Sequence, residues 1–181
     1  MAKVAGGSLL SLRTHVTRTY GDDAFDRVLA EMSPEMADPL RGIVLPIHWY
    51  PTASFVRAIE VAARIFDPDA FYESYGAFAA EFEINAFQKI VLRFTSPLFL
   101  VERAGRIWNR FHDTGAWQVE GSRNHLSGTL RDFAIVNANY CRVLAAWILR
   151  ACQLTGARGT IAHSACRARG DEACVFEGTW E

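Results

Sequence analysis

The hydrophobic pattern of this chain changes once, near residue 112, and that change limits the possible folds more than any other feature. Before it, apolar residues recur every three or four positions between turn and cap signals. This is typical of amphipathic helices such as the one predicted over residues 52–66. After it, residues 116–120 and 126–130 alternate between apolar and polar side chains, as half-buried strands do. The sequence therefore predicts a helical part followed by a part that contains a sheet.

Two more strands are predicted near the C terminus, over residues 160–167 and 174–180, and a helix capped by Asn137 precedes them. Residues 121–124 are expected to form the turn of the first hairpin. Strands joined by hairpins pair in antiparallel fashion, and helices must then cover a face of the sheet. We therefore predict an α+β fold in which several helices pack on a twisted antiparallel four-stranded sheet. Its C-terminal order is strand-strand-helix-strand-strand.

The length of the chain fits one domain. It has 181 residues, half of them hydrophobic, and domains hold about 100–200 residues each. A domain of this size can bury roughly 70% of its unfolded surface without the help of disulfides. We expect a single domain over residues 1–181, with a helical part over 1–112 and a sheet-containing part over 113–181.

The charge balance gives no general reason to expect a nucleic-acid partner, because 19 basic and 20 acidic residues leave a net charge of -1. No apolar run approaches the roughly 18–20 residues that span a bilayer. The first residues lack the features of a signal peptide. We therefore expect a cytoplasmic protein without a membrane span. In that reducing compartment the four cysteines are expected to be thiols or metal ligands.

Cysteine and histidine residues gather in the last part of the chain. The turn between the last two predicted strands places Cys166 and Cys174 opposite each other, and a small bulge would bring His163 beside them. Zinc takes four ligands of this kind in a tetrahedron. The fourth is Cys141 or Cys152, which lie eleven residues apart, about 16 Å along a helix, and so cannot both bind one ion. After the helix, the predicted strand over residues 160–167 runs back along it at about 3.3 Å per residue, which brings Cys166 to the level of Cys141. The predicted zinc ligands are therefore Cys141, His163, Cys166 and Cys174.

Two other interpretations of the cysteines remain open. Free cysteine is among the most buried residue types, so that four of them in a core can be plain packing. The pair Cys166 and Cys174 can also be a redox pair, although it lacks the Cys-x-x-Cys spacing of the common redox motif.

The end of the chain resembles a known family. The pattern Cys-x(3)-Gly-Asp-x(2)-Cys-x-Phe over residues 166–176 follows a helix that ends at glycine and a strand, and it resembles the 4-vinyl reductase domain. That domain shares a superfamily with TRAPP-complex subunits, haem nitric-oxide-binding domains and the sensor domains of phenol-responsive transcription activators. The resemblance covers residues 110–180. The N-terminal part resembles an uncharacterised family of about this length that is abundant in myxobacteria. The residues that carry this second resemblance are Tyr20-Gly21, Arg27-Val28-Leu29, Trp49-Tyr50-Pro51 and Ser96-Pro97.

The resemblance also has implications for cofactors. In the phenol sensors this region holds zinc through Cys, Glu, Cys and Cys, and these positions fall on the four predicted ligands, so the resemblance implies zinc. The haem-binding relatives use a proximal histidine and a Tyr-x-Ser-x-Arg motif. Residues 72–76 begin that pattern but place glycine where arginine is required. His112, on an apolar helix face, is expected to be a satisfied core histidine. Haem is therefore not expected.

The relatives in this superfamily hold hydrophobic or aromatic molecules between helices and sheet, which implies a ligand-binding sensory domain. The apolar sides of elements that face each other would form the pocket wall. The predicted wall residues are Phe111, Trp117, Val119, Leu130, Leu144, Ile148 and Ile161. The chain has neither a phosphate-binding glycine-rich loop nor a Gly-x-Ser-x-Gly elbow, and Glu81 and Glu83 are expected to face solvent. We therefore expect a non-enzymatic domain whose signal passes to a protein partner.

Two alternatives stay open. A protein-interaction module of the TRAPP-subunit type would form a homodimer, or bind another protein, through a helix face or through Trp49 and Tyr50. An enzyme or enzyme accessory would act on a tetrapyrrole or an aromatic substrate.

Overall fold

The structure is a computed structural model that describes residues 1–84, 86–122 and 124–181. Its N-terminal part carries a short β-ribbon and a series of helices: β1 (Lys3–Ala5), α1 (Gly6–Tyr20), α2 (Ala24–Ala30), α3 (Pro34–Ala37), β2 (Trp49–Pro51), α4 (Thr52–Phe66), α5 (Phe71–Glu83), α6 (Ala86–Leu92), α7 (Pro97–Val101) and α8 (Ala104–Phe111). The C-terminal part consists of β3 (Ala116–Gly121), β4 (His125–Arg131), α9 (Ala138–Gln153), β5 (Gly159–Ala165) and β6 (Cys174–Trp180). Among the described helices, none combines the length and the apolar character that crossing a membrane requires.

The strands of the C-terminal part form an antiparallel four-stranded sheet in the order β3-β4-β6-β5. A bulge interrupts the pairing of β5 with β6 between His163 and Ala165. The prediction of an α+β fold with this sheet and this order of elements is confirmed. The predicted turn over residues 121–124 includes Arg123, which lies outside the described residues.

Helices α5 and α9 pack closely together, and a glycine makes their approach possible. A Cβ atom at Gly76 would lie 2.4 Å from the backbone oxygen of Val143, well inside van der Waals contact. At the surface the same two helices are joined by a salt bridge between Arg142 and Glu73, at 2.8 Å. The position of α9 relative to α5 is therefore fixed by backbone contact as well as by side chains.

The hydrophobic core extends from the N-terminal helices into the sheet. Leu9 of α1, Phe55 of α4 and Phe71 of α5 belong to the same cluster of buried residues as Leu130 of β4 and Phe176 of β6. The two parts of the chain therefore share a core, and the site described next lies where they meet.

Candidate ligand pocket and cysteine–histidine cluster

A cavity of about 140 Å³ lies between the sheet and helices α5, α7, α8 and α9. Six of the seven predicted wall residues line it: Phe111, Trp117, Val119, Leu144, Ile148 and Ile161. Leu130 does not line it; its side chain is 2% exposed and packs within the main core. Several other residues that were not predicted also line it, among them Trp147. Its spacing of three from Leu144 on α9 is a signal that could have placed it on the same face.

Aromatic side chains hold one another in the cavity wall. The rings of Trp117 and Trp108 meet edge to face with their centroids 5.9 Å apart, and Trp117 also lies 5.5 Å from Phe176. The indole N–H of Trp108 donates to the carbonyl oxygen of Thr114 at 2.7 Å. Because these contacts fix the rings, this part of the wall is formed before any ligand binds.

His112 places a polar atom at the cavity. Its Nε2 lies 3.1 Å from the hydroxyl oxygen of Tyr140, and its ring stacks on Trp108 with centroids 3.9 Å apart. Among the described residues, no partner accepts from or donates to the buried Nδ1. Burial lowers the pKa of His112 to about 3, so the imidazole is neutral at physiological pH. The expectation of a fully satisfied core histidine therefore holds for only one of the two ring nitrogens.

Glu83 also lines the cavity, so the expectation that it faces solvent is wrong. Its Oε2 accepts a hydrogen bond from the indole N–H of Trp147 at 3.0 Å, and its Oε1 accepts one from the hydroxyl of Ser11 at 3.3 Å. Burial raises the pKa of Glu83 to about 7, although hydrogen bonds from Ser8, Trp147 and Ser11 and the charge of Arg110 act in the opposite direction. The helical pattern of α5 could not reveal this, because α1 and α9 cover that side of the helix only in the folded chain.

The structure brings together the side chains of Cys141, His163, Cys166 and Cys174. One potential ligand atom from each residue lies within 4.8 Å of the others. The three cysteines are buried, and the thiol of Cys141 donates to the sulfur of Cys174 at 3.6 Å. Burial and the neighbouring sulfur of Cys174 raise the pKa of the Cys141 thiol. In the described residues, Nε2 of His163 is buried without a hydrogen-bond partner.

Local backbone geometry explains why these residues meet. Asn137 caps α9 by accepting from the backbone N–H of Tyr140 at 2.9 Å, which sets Cys141 in the first turn of the helix. At the end of β5, the carboxylate of Asp171 accepts from the backbone N–H of Cys166 at 2.6 Å. Gly170 has a φ of 99°, a left-handed conformation that favours glycine. The Gly-Asp step between the two strand cysteines is therefore required by the turn itself.

Cys152 lies in a different environment from the other cysteines. It belongs to a small hydrophobic cluster with Leu126 and Trp180, and it lines the cavity. Its pKa is raised to about 12 by burial, so it is a protonated thiol there. The structure thus separates Cys152 from the cluster that contains Cys141.

This chain is similar to known proteins in structure but not detectably in sequence. No protein-family model matches the chain, and no curated protein matches it. An unliganded Fe(II) H-NOX protein from K. algicida, a point mutant, is similar with a TM-score of 0.76 and 11% identity, over 98% of this chain and 96% of that one. An H-NOX protein from S. oneidensis in the Fe(II)NO state is similar with a TM-score of 0.74 and 14% identity, over 98% of this chain and 99% of that one. A structure from work on heme distortion in the H-NOX family has a TM-score of 0.71 and 7% identity, over 97% of this chain and 94% of that one. At these identities the likeness concerns the fold.

The resemblance to the 4-vinyl reductase domain and to TRAPP subunits is wrong, because these similar structures are H-NOX proteins. Its main motif lay in the hairpin of residues 166–176. The structure shows that the glycine and aspartate of this motif serve the turn geometry. A pattern that any chain needs to build this hairpin cannot distinguish between folds that contain it.

The expectation about cofactors, with zinc present and haem not expected, is wrong on the same finding. Two of the similar structures are Fe(II) proteins, and the third comes from work on heme in that family. The expectation against haem rests on the pattern at residues 72–76 and on His112 as a satisfied core histidine. The likeness extends over nearly the whole backbone and does not depend on that pattern.

Proposed function

We propose that this chain is a non-enzymatic sensory domain that binds a small apolar or aromatic molecule in the cavity between its helices and its sheet. The observation that carries this proposal is the cavity of about 140 Å³ with its fixed aromatic wall. An apolar cavity of ~150 Å³ is known to stay dry and to bind molecules of the size of benzene. Because both parts of the chain supply the wall, a bound molecule contacts both and alters how they pack.

The similar H-NOX structures suggest haem as a cofactor. In this cavity, His112 is the residue that could bind the haem iron. A haem iron takes an axial imidazole nitrogen, and Nδ1 of His112 is buried, neutral and without a partner among the described residues. Bound there, haem would supply an iron centre for gaseous ligands such as the NO of the S. oneidensis structure. Pockets for larger molecules measure roughly 300–1,000 Å³. A tetrapyrrole therefore requires the cavity of about 140 Å³ to widen.

Two titrations of the apoprotein test the proposal. Calorimetry with indole measures binding of a small aromatic molecule, and absorption spectroscopy with hemin measures axial ligation. Saturable one-to-one binding of either compound supports the sensory role. A hemin Soret band that is present in wild type and displaced in His112→Ala assigns the iron ligand. If neither compound binds at a defined stoichiometry, the proposal is wrong.

We also propose that Cys141, His163, Cys166 and Cys174 bind one metal ion. Three thiolates and an imidazole within 4.8 Å of one another form a donor set that soft or borderline divalent ions prefer. Four protein ligands leave no open coordination position, so the role of such an ion is structural. It would tie the first turn of α9 to the β5–β6 hairpin and so support the sheet side of the cavity. We also propose that the protein acts in the cytoplasm, where cysteine thiols stay reduced.

We infer that the signal leaves through a protein partner or a second copy of the chain. The segment between α3 and β2 carries exposed apolar side chains, with Ile43 at 89% and Ile47 at 84% exposure, and Trp49 follows at 44%. Clustered exposed apolar residues are typical of interaction surfaces. Sedimentation of wild type and Ile47→Asp tests the homodimer, which is expected to dissociate in the variant. A wild type that is monomeric at all concentrations rules out the second copy.

A further inference from the structure

The cavity contains one ionisable carboxyl group among apolar walls. Glu83 is the charged residue among the described residues that line it, and no lysine or arginine of the described chain lines it. The carboxyl sits at the end of α5, where α1 supplies the Ser11 hydroxyl and α9 supplies the Trp147 indole. A half-buried carboxyl group in a binding cavity has a cost in desolvation that a ligand of opposite charge can offset.

The hydrogen bonds of Glu83 leave it with free capacity to bind a ligand. A carboxylate offers about four lone-pair sites, and the described donors, Ser8, Trp147 and Ser11, use three of them. The nearby hydroxyl of Tyr75 does not compete, because it donates to the backbone oxygen of Ser8 at 3.2 Å. At least one more donor can therefore approach the carboxyl group from the cavity.

Aromatic rings share the cavity with this carboxyl group, and that of Trp147 is hydrogen-bonded to it. Trp147, Tyr75 and Tyr140 all line the cavity with it. The faces of such rings attract cations, most strongly where water is excluded. A carboxylate beside aromatic rings is thus complementary to an ammonium group attached to an apolar body, and it disfavours an acid.

We propose that the molecule which this cavity accepts without widening is an arylalkylamine, and that Glu83 binds its ammonium group while the aromatic wall takes its ring. This inference rests on the proposed binding function of the cavity and specifies the class of ligand. The cavity volume of about 140 Å³ suits a single aromatic ring with a short amine side chain.

Among the groups that face one another here, Glu83 is the one whose charge changes near neutral pH. From α5 and α9, Tyr75 and Tyr140 have pKa values raised well above their usual range by burial. Toward α8, Arg110 contributes a constant positive charge, and His112 stays neutral because burial lowers its pKa to about 3. Ser11 of α1 and Trp147 of α9 are neutral donors. Amine binding is therefore expected to strengthen as pH rises through about 7.

The test compares benzylamine with benzyl alcohol, its neutral counterpart of similar shape, by calorimetry. We expect wild type to bind benzylamine at least about tenfold more tightly at pH 8, the magnitude of one charge-assisted hydrogen bond. Glu83→Gln is expected to abolish this preference, whereas Glu81→Gln, an exposed neighbour on the same helix, is expected to retain it. If Glu83→Gln does not fold, the loss of the preference in wild type between pH 8 and pH 5.5 provides the same readout, because benzylamine stays protonated over that range.

The outcomes separate this inference from the proposed function. Equal binding of the amine and the alcohol, or a preference unchanged in Glu83→Gln and unchanged with pH, overturns the amine assignment and leaves the cavity as a binding site. Binding of neither compound overturns both.

Discussion

Burial moves the pKa values of two groups at the cavity in opposite directions. It lowers the pKa of His112 to about 3 and raises that of Glu83 to about 7. Both groups are therefore largely uncharged near pH 6, as a site of low dielectric favours. Neither role was visible from the sequence. The pattern around His112 predicts burial but not which nitrogen lacks a partner, and the cover over Glu83 comes from helices distant in the chain.

Protonation of His112 is predicted to destabilise the fold in acid. Its pKa is 6.5 when unfolded and about 3 when folded, so the unfolded chain takes up the proton first. The stabilisation is complete above pH 6.5 and is lost as pH falls toward 3, with a magnitude on the order of a few kcal/mol. Urea unfolding at pH 7 and pH 5 measures the part of this loss of stability that occurs above pH 5.

The comparison uses His112→Phe, with His125→Gln on the surface of β4 as the control. His112→Phe is expected to lose less stability on acidification than wild type does, and His125→Gln is expected to lose as much. Some loss remains in His112→Phe, because burial also lowers the pKa of His15, to about 4. An identical pH dependence in wild type and His112→Phe contradicts the prediction.

Two glycine substitutions are predicted to have effects of opposite sign. Gly76→Ala places a methyl group 2.4 Å from the backbone oxygen of Val143, so α5 and α9 must separate, at about 1–3 kcal/mol of unfolding free energy. Gly7→Ala in α1 meets no atom within 4 Å and is expected to stabilise by up to ~1 kcal/mol through helix propensity. Thermal unfolding of both variants measures the difference. A Gly76→Ala variant as stable as wild type contradicts the close helix contact.

The elements that sequence reasoning predicted well have long periodic signals. Alternation over β3 and β4, and the Asn137 cap with an apolar face on α9, gave the order of the C-terminal part. The ribbon of β1 and β2 was not predicted, because strands of three residues are too short to show an alternation of apolar and polar side chains. Their pairing joins residues 3–5 to residues 49–51, a contact that depends on the fold of everything between them.

At the β5–β6 hairpin, loss of one cysteine is predicted to remove a bound metal ion. We expect about one metal ion per chain in wild type purified without chelators, and less than a fifth of that in Cys174→Ser, because three remaining ligands bind far more weakly. Cys152→Ser is the matched control, since Cys152 is buried on α9 but lies outside the cluster. Elemental analysis gives the stoichiometry. Equal metal content in wild type and Cys174→Ser, or none in wild type, contradicts the metal proposal.

At the scale of the whole molecule, the likeness to H-NOX structures extends over 98% of the chain at 11–14% identity. A short motif could not reveal it, because the residues that such motifs record satisfy local geometry, as Gly170 and Asp171 do at their turn. The prediction of the fold class relied on periodicity and is confirmed. The prediction of the family relied on a hairpin pattern and is wrong. The cavity wall was largely foreseeable, because facing elements of a helix-on-sheet fold must present their apolar sides to each other.

Filling the cavity with a larger side chain tests whether it binds a small aromatic molecule. Leu144→Trp adds volume inside the cavity from α9, while Leu149→Trp makes the same change on the same helix outside it. Calorimetric titration with indole is predicted to show one saturable site in wild type and in Leu149→Trp. In Leu144→Trp, binding is predicted to be at least about tenfold weaker. Absence of binding in wild type, or equal binding in all three proteins, contradicts the claim.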